Sequence, residues 1–159
     1  MFGLLNLPAF QPMSIPDGAP RGYALFSFVW KSRYSVGVRD LDRQHQTIMQ
    51  GLNQLHEELM NGKINEAVVP LINNLVSIAA EHFATEEKLM EQSMFPGLAE
   101  HRATHQALSR RVSEFIARQE TGDGAAYCQF MYFLREWMTT HMEKEDLKYA
   151  PWLAEHGIH

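Results

Sequence analysis

The sequence predicts an all-α fold: an up-down-up-down antiparallel four-helix bundle with an irregular N-terminal arm. Three observations carry the expectation. Four apolar stripes recur at alternating steps of three and four residues, the mark of helices with one buried face. The connections between them are short enough to join antiparallel neighbours. Histidines and acids sit on those stripes, and an antiparallel path gathers them at one end.

Taken in order, residues 1–22 place Pro8, Pro12, Pro16 and Pro20 at every fourth position, with Gly18 and Gly22 nearby. Proline at that density cannot sustain a helix, so this stretch reads as an extended or irregular arm. Its apolar residues Phe2, Leu4, Leu5 and Phe10 could dock on the domain or on a protein partner, although a loosely attached tail is the plainer reading. The bundle domain is taken as residues 23–159. Residues 23–39 lack helical periodicity and contain Trp30 and Tyr34-Ser35-Val36-Gly37-Val38.

The first stripe is Leu41, His45, Ile48, Leu52, Leu55, Leu59, with Asp40 or Asp42 near its start. The second is Leu71, Leu75, Ile78, His82, Glu86, Leu89, ending before Phe95-Pro96-Gly97. The third runs Leu98, His101, His105, Leu108, Val112, Phe115 and stops near Thr121-Gly122-Asp123-Gly124. The last is Tyr127, Met131, Leu134, Met138, His141. Pro70 must fall in the first turn of the second helix or kink it.

Composition narrows the function classes. With 159 residues the chain suits one domain with a real core. A net charge of -5 with 14 scattered basic residues argues against a nucleic-acid partner. No apolar run approaches the roughly 20 residues of a membrane span. The apolar N-terminus has no basic flank and meets Pro8 early, a poor secretion signal, and Cys128 is the single cysteine. A cytoplasmic location is the resulting expectation. Histidine is the outlier, at 8 residues.

Polar residues on an apolar seam are the informative event, because each one buried without a partner costs roughly 1–3 kcal/mol. His82 and Glu86 are four apart, as are His101 and His105, so each pair projects from one helix face. His45 lies early in the first helix, His82 and Glu86 late in the second, His101 and His105 early in the third, and His141 late in the fourth. In an antiparallel bundle these places coincide. One buried histidine is more often a hydrogen-bonded core residue than a ligand, but five at one level compete for few acceptors. Imidazoles with bridging carboxylates suit a pair of metal ions better than one tetrahedral zinc. No Glu-x-x-His occurs in the chain, so the ferritin-like carboxylate site is not expected.

The fourth seam contains a conflict. Regular continuation from His141 reaches Glu145, whereas five residues advance about 140° past a full turn and point Asp146 elsewhere. His56, about 16 Å along the axis from His45, cannot join the same centre. His156 and His159 read as solvated.

These residues resemble the bacterial hemerythrins: Trp30 and Ser35-Val36-Gly37-Val38 ahead of Asp42-x-Gln44-His45, then His82-Phe83-x-x-Glu86-Glu87, His101-x-x-x-His105, and His141-x-x-x-x-Asp146 followed by Tyr149. The similarity spans about residues 26–155, and the arm of residues 1–22 departs from it. It implies two non-haem iron ions joined by an oxo or hydroxo bridge, one held by His101, His105 and His141, the other by His45 and His82. Glu86 and Asp146 would bridge both. It also implies that Asp146, rather than Glu145, completes the site, which requires a π-type bulge or a helix end after His141.

The second iron would be left with an open position, where dioxygen binds reversibly if water is excluded. Residues one turn from the ligands are candidates for the oxygen pocket: Ile48, Met49, Ile78, Leu108, Trp137 and Met138. Gln44, Glu87, Glu100 and Glu143 are near enough in sequence to orient the imidazoles. Oxygen transport, storage or delivery is the expected role, with dioxygen the ligand and no catalysis. The rivals are an oxygen or redox sensor acting on a partner through the arm, and an enzyme reducing peroxide or nitric oxide.

Overall fold

The computed structural model describes residues 28–62, 67–118 and 124–159; the arm expected at residues 1–22 lies outside them. Four long helices follow the four stripes: α1 (Arg39–Met60), α2 (Val69–Gln92), α3 (Leu98–Arg118) and α4 (Gly124–Thr140). The fourth runs on through a π-helical turn, His141–Asp146, into α5 (Leu147–Glu155). A short 3-10 turn, Ser32–Tyr34, precedes α1. No strand occurs among the described residues. Nor is any described helix long and apolar enough to cross a membrane.

Local chemistry sets the helix ends. Asp40 and Asp42 lie in the first turn of α1, where the helix dipole favours negative charge. Asp42 also accepts the Val36 N–H at 2.9 Å and the Ser35 hydroxyl at 2.5 Å, binding the preceding loop to the helix. Gly37 makes the bend between them at φ +76°. Pro70 falls in the first turn of α2, where its missing N–H costs nothing.

The α2 end is closed by two bonds, Phe95 N–H to Met90 C=O at 2.8 Å and Met94 N–H to Glu91 C=O at 3.0 Å. This Schellman closure puts Met94 in the left-handed region at φ +57°, the place glycine usually takes. Met94 is 81% exposed, so its side chain contributes little packing in return. Met94→Gly should therefore stabilise the chain by about 1 kcal/mol, the steric cost of a left-handed residue. Denaturant unfolding of the two proteins checks it, and a loss of stability would contradict the account.

Helix α1 packs on α2 and α4, and α2 on α3. The ring closes where Phe115 of α3 stacks on Phe130 of α4 at 3.8 Å. The expected up-down-up-down order is thus observed. Two apolar clusters fill it. One forms the bundle body, including Ile48, Leu52, Leu55, Ile72, Leu75, Met131 and Met138. The other caps one end with Val36, Val38, Leu41, Met90, Tyr149 and Leu153. Along α1, His45 falls between Leu41 of the cap and Ile48 of the body; along α2, His82 and Glu86 fall between Leu75 and Met90. A polar layer is therefore sealed between two dry ones.

The segment before α1 is strapped over this layer. The Asn53 side chain holds both backbone groups of Phe28, accepting its N–H at 2.8 Å and donating to its carbonyl at 3.0 Å. Trp30 then lies beside His45, with ring centroids 6.5 Å apart. Arg33 pairs with Glu143 of the π turn at 2.8 Å.

Candidate metal centre

All seven residues singled out by the sequence are buried: His45, His82, Glu86, His101, His105, His141 and Asp146. They are brought together at the end of the bundle that carries the apolar cap. All five imidazoles turn Nε2 toward the carboxylates. Glu86 Oε1 lies 3.4 Å from His82 Nε2 and 3.7 Å from His45 Nε2. Its other oxygen lies 3.1 Å from His105 Nε2 and 3.4 Å from His101 Nε2. Asp146 divides in the same way, with Oδ1 3.0 Å from His141 Nε2 and 3.7 Å from His101 Nε2, and Oδ2 3.3 Å from His45 Nε2. Two groups result, His101, His105 and His141 on one side and His45 and His82 on the other, each sharing Glu86.

Asp146 takes its place because the backbone widens. The π-helical turn spans His141–Asp146, as the conflict on the fourth seam required, and Asp146 is fully buried. Glu145 faces outward and pairs with Lys148 at 2.6 Å.

The donor chemistry fits cations. Both oxygens of Asp146, Nε2 of His82 and both ring nitrogens of His45 are buried without an aligned hydrogen bond, despite the short distances. Nε2 of His105 and of His141 approach to 3.1 Å. Buried polar atoms gathered in this number are what cations placed among them would compensate. The charge states agree. Burial pushes the Glu86 carboxyl up, but His82, His101 and His105 hold it well below the usual carboxylate range. Burial and Glu86 push Asp146 up, and His141 and His45 outweigh them, bringing it to about 2. Burial lowers His82 to about 4, so it is a neutral donor at pH 7. The set is two carboxylates and five imidazoles, which suits iron or another divalent transition ion.

Outer contacts fix the rings. His82 Nδ1 meets Gln44 Oε1 at 3.1 Å, and His105 Nδ1 meets Glu87 Oε1 at 3.0 Å. Of the four acids and amides near the ligands in sequence, Gln44 and Glu87 make these contacts. Glu100 instead lies 3.7 Å from Lys148, and Glu143 is taken by Arg33. Trp137 stacks on His141 at 4.3 Å and Phe83 on His105 at 3.8 Å. Tyr149 is buried and donates its hydroxyl to Glu86 Oε1. Burial, with Glu86 and Asp146 beside it, holds that phenol well above its ordinary value, so it keeps its proton.

Below the polar layer lies an apolar cavity of about 60 Å³. Four of the six expected pocket residues line it: Ile48, Leu108, Trp137 and Met138. Met49 and Ile78 do not. Met49 is buried in the body of the core and Ile78 packs against it. On α2 the position toward the cavity is Ala79, three residues before His82, rather than Ile78, four before it. Phe83, which sequence reasoning passed over, also lines the cavity.

Without metal, the buried layer should make the protein acid-sensitive. A His82 value that falls from 6.5 unfolded to about 4 folded means the unfolded chain binds more protons between those pH values. Stability then declines as pH falls through that window. The depressed values of Glu86 and Asp146 act in the same sense at lower pH. His45 opposes them: burial lowers it, but Asp146 raises it above 6.5 overall, which favours the folded state as pH falls. The melting temperature of metal-free protein should fall from pH 6.5 to 4; a flat or rising profile would contradict this balance.

Comparison with known proteins places the constellation. The family model of the Hemerythrin HHE cation binding domain matches residues 36–153. The chain is 30% identical over 128 residues to a bacteriohemerythrin of Stenotrophomonas maltophilia, covering 80% of this chain and 82% of that protein. It is 31% identical to a bacteriohemerythrin of Pseudomonas aeruginosa, covering 77% and 78%. It is 28% identical to the myohemerythrin of Riftia pachyptila, covering 77% and 90%. A crystal structure of wild-type hemerythrin superposes with a TM-score of 0.69 at 25% identity, covering 79% of this chain and 97% of that one. The chain belongs to the hemerythrin HHE cation-binding domain family.

Proposed function

We propose that this chain binds dioxygen reversibly at a pair of non-haem iron ions, for oxygen transport, storage or delivery in the cytoplasm, and that it is not an enzyme. The observation that carries the reading is the division of both carboxylates, each turning one oxygen to the three-histidine group and the other to the two-histidine group. His101, His105 and His141 would hold one iron, His45 and His82 the other, with Glu86 and Asp146 shared. When bound, the iron pair supplies a coordination position for dioxygen and the two electrons that hold it. The second group has one imidazole fewer and would leave its ion the less fully held by protein ligands.

The residues of the chain do the rest. Phe83 and Trp137 lie flat against His105 and His141 and, with Ile48, Leu108 and Met138, present an apolar wall. A lining of that kind stays dry even where there is room for water, which would otherwise compete for the metals. Tyr149 holds a proton against Glu86 and fixes that carboxylate without titrating near neutral pH.

Anaerobic ferrous protein exposed to air should develop a visible charge-transfer band that disappears under vacuum and returns on re-exposure. Irreversible bleaching would overturn the carrier reading, and steady consumption of peroxide or nitric oxide would replace it with an enzyme.

A further inference from the structure

The two halves of the centre share their inner residue types but not their outer ones. His105 gives Nδ1 to a carboxylate, Glu87 Oε1 at 3.0 Å, and the other oxygen of Glu87 is held by Arg102 Nε at 2.7 Å. His82 gives Nδ1 to a neutral amide, Gln44 Oε1 at 3.1 Å. Gln44 is oriented by a chain of neutral groups, its Nε2 lying 3.3 Å from Thr85 Oγ1, which donates to the Glu81 carbonyl at 2.8 Å. An imidazole that shares its N–H with a carboxylate gains negative character on the opposite nitrogen and becomes the stronger metal donor. The same half also has three imidazoles against two. Both asymmetries point the same way.

We propose that these outer contacts make the two cation sites unequal, so that the first divalent ion occupies the His101, His105 and His141 half and the second the His45 and His82 half. The inference rests on the two-metal reading above and adds the order of filling. Arg102 acts in it as a positioning residue. Its side chain is 42% exposed and contacts Glu87, and through Glu87 it sets the orientation of His105. The half that fills last is the one with fewer protein ligands, so the chain holds its first ion more firmly than its second.

The test is a titration of the full-length metal-free chain with Co(II) under argon, followed by visible absorbance and calorimetry. Wild type should show two resolved steps, the first abolished by His101→Ala and the second by His82→Ala. Glu87→Gln keeps an acceptor for His105 but removes its charge and the Arg102 partner. It should weaken the first step about 10- to 100-fold, the usual effect of losing an outer partner, and leave the second unchanged. Arg102→Ala should act in the same direction, Arg102→Lys should restore part of the loss, and Gln44→Glu should tighten the second step. The melting temperature of metal-free Arg102→Ala should match wild type, which separates positioning from a merely structural role. Equal weakening of both steps by Glu87→Gln, an effect on the second step alone, no effect at all, or two ions taken up in one step would overturn the order while leaving the two-metal reading intact. A wild-type chain that takes up no Co(II) would overturn both.

Discussion

Replacing Glu86 with alanine should leave a folded bundle that retains at most one of the two metals proposed for the centre. Glu86, like Asp146, reaches both groups of imidazoles within 3.4 Å, with Oε1 toward His82 and Oε2 toward His101 and His105. Removing it strips a charge and a shared ligand from each side at once, and leaves the Tyr149 hydroxyl without its acceptor. An ion held a thousandfold above its dissociation constant stabilises the native state by about 4 kcal/mol. For a domain of this size, such a loss lowers the melting temperature by roughly 8–16 °C. Metal analysis of purified Glu86→Ala, reconstituted under reducing conditions beside wild type, gives the first readout and calorimetry the second. An unchanged metal-to-protein ratio would remove Glu86 from the centre. Glu86→Gln separates charge from shape: it keeps the volume and should still lose the pair, because an amide presents only one acceptor oxygen.

The bundle was legible because burial imposes a period. Leu41, His45, Ile48 and Leu52 step by four, three and four, and the structure buries all four. The same rule found five histidines and Glu86, since a polar side chain on an apolar stripe is visible as an exception. What lies to either side of a stripe is harder to read. Met49 and Ile78 are one turn from ligands, as Ile48 and Ala79 are, yet the cavity touches the latter two. Which flank faces the cavity depends on how each helix is rotated against its neighbours, and helical spacing is blind to that.

The outer contacts were less legible still. Arg102 reaches Glu87 from α3 to α2, and Tyr149 reaches Glu86 from α5 to α2. Each bond joins residues on different helices and needs the packed bundle to exist. Glu87 and Glu100 look alike in sequence, both acids next to a ligand, but one receives His105 and the other lies near Lys148 at the surface. The difference is azimuth: Glu87 shares the edge of α2 that meets α3. Phe83 carried a signal of a sort, an aromatic directly after His82, but its stacking on His105 is again a contact between helices.

The π turn is where sequence and backbone disagreed in an informative way. On a regular α-helix, Asp146 and Tyr149 both miss the face of His141, and both miss it in the same sense. If the turn absorbs one residue, His141, Asp146 and Tyr149 take the places i, i+4 and i+7, which share a face. One widened turn at His141–Asp146 thus delivers two residues to the centre, Asp146 beside His141 and Tyr149 on Glu86. The decisive comparison is between neighbours. Asp146→Ala should lose metal and, with it, several kcal/mol of holo stability by the same mass action as Glu86→Ala. Glu145→Ala removes a surface pair with Lys148 from a side chain 26% exposed. Pairs of that kind contribute about 0–1 kcal/mol, so metal content should stay unchanged and the melting temperature nearly so. The reverse result, metal lost with Glu145 and kept without Asp146, would mean that the fourth helix runs on as a regular α-helix. It would also detach Tyr149 from Glu86, because both contacts depend on the same extra residue.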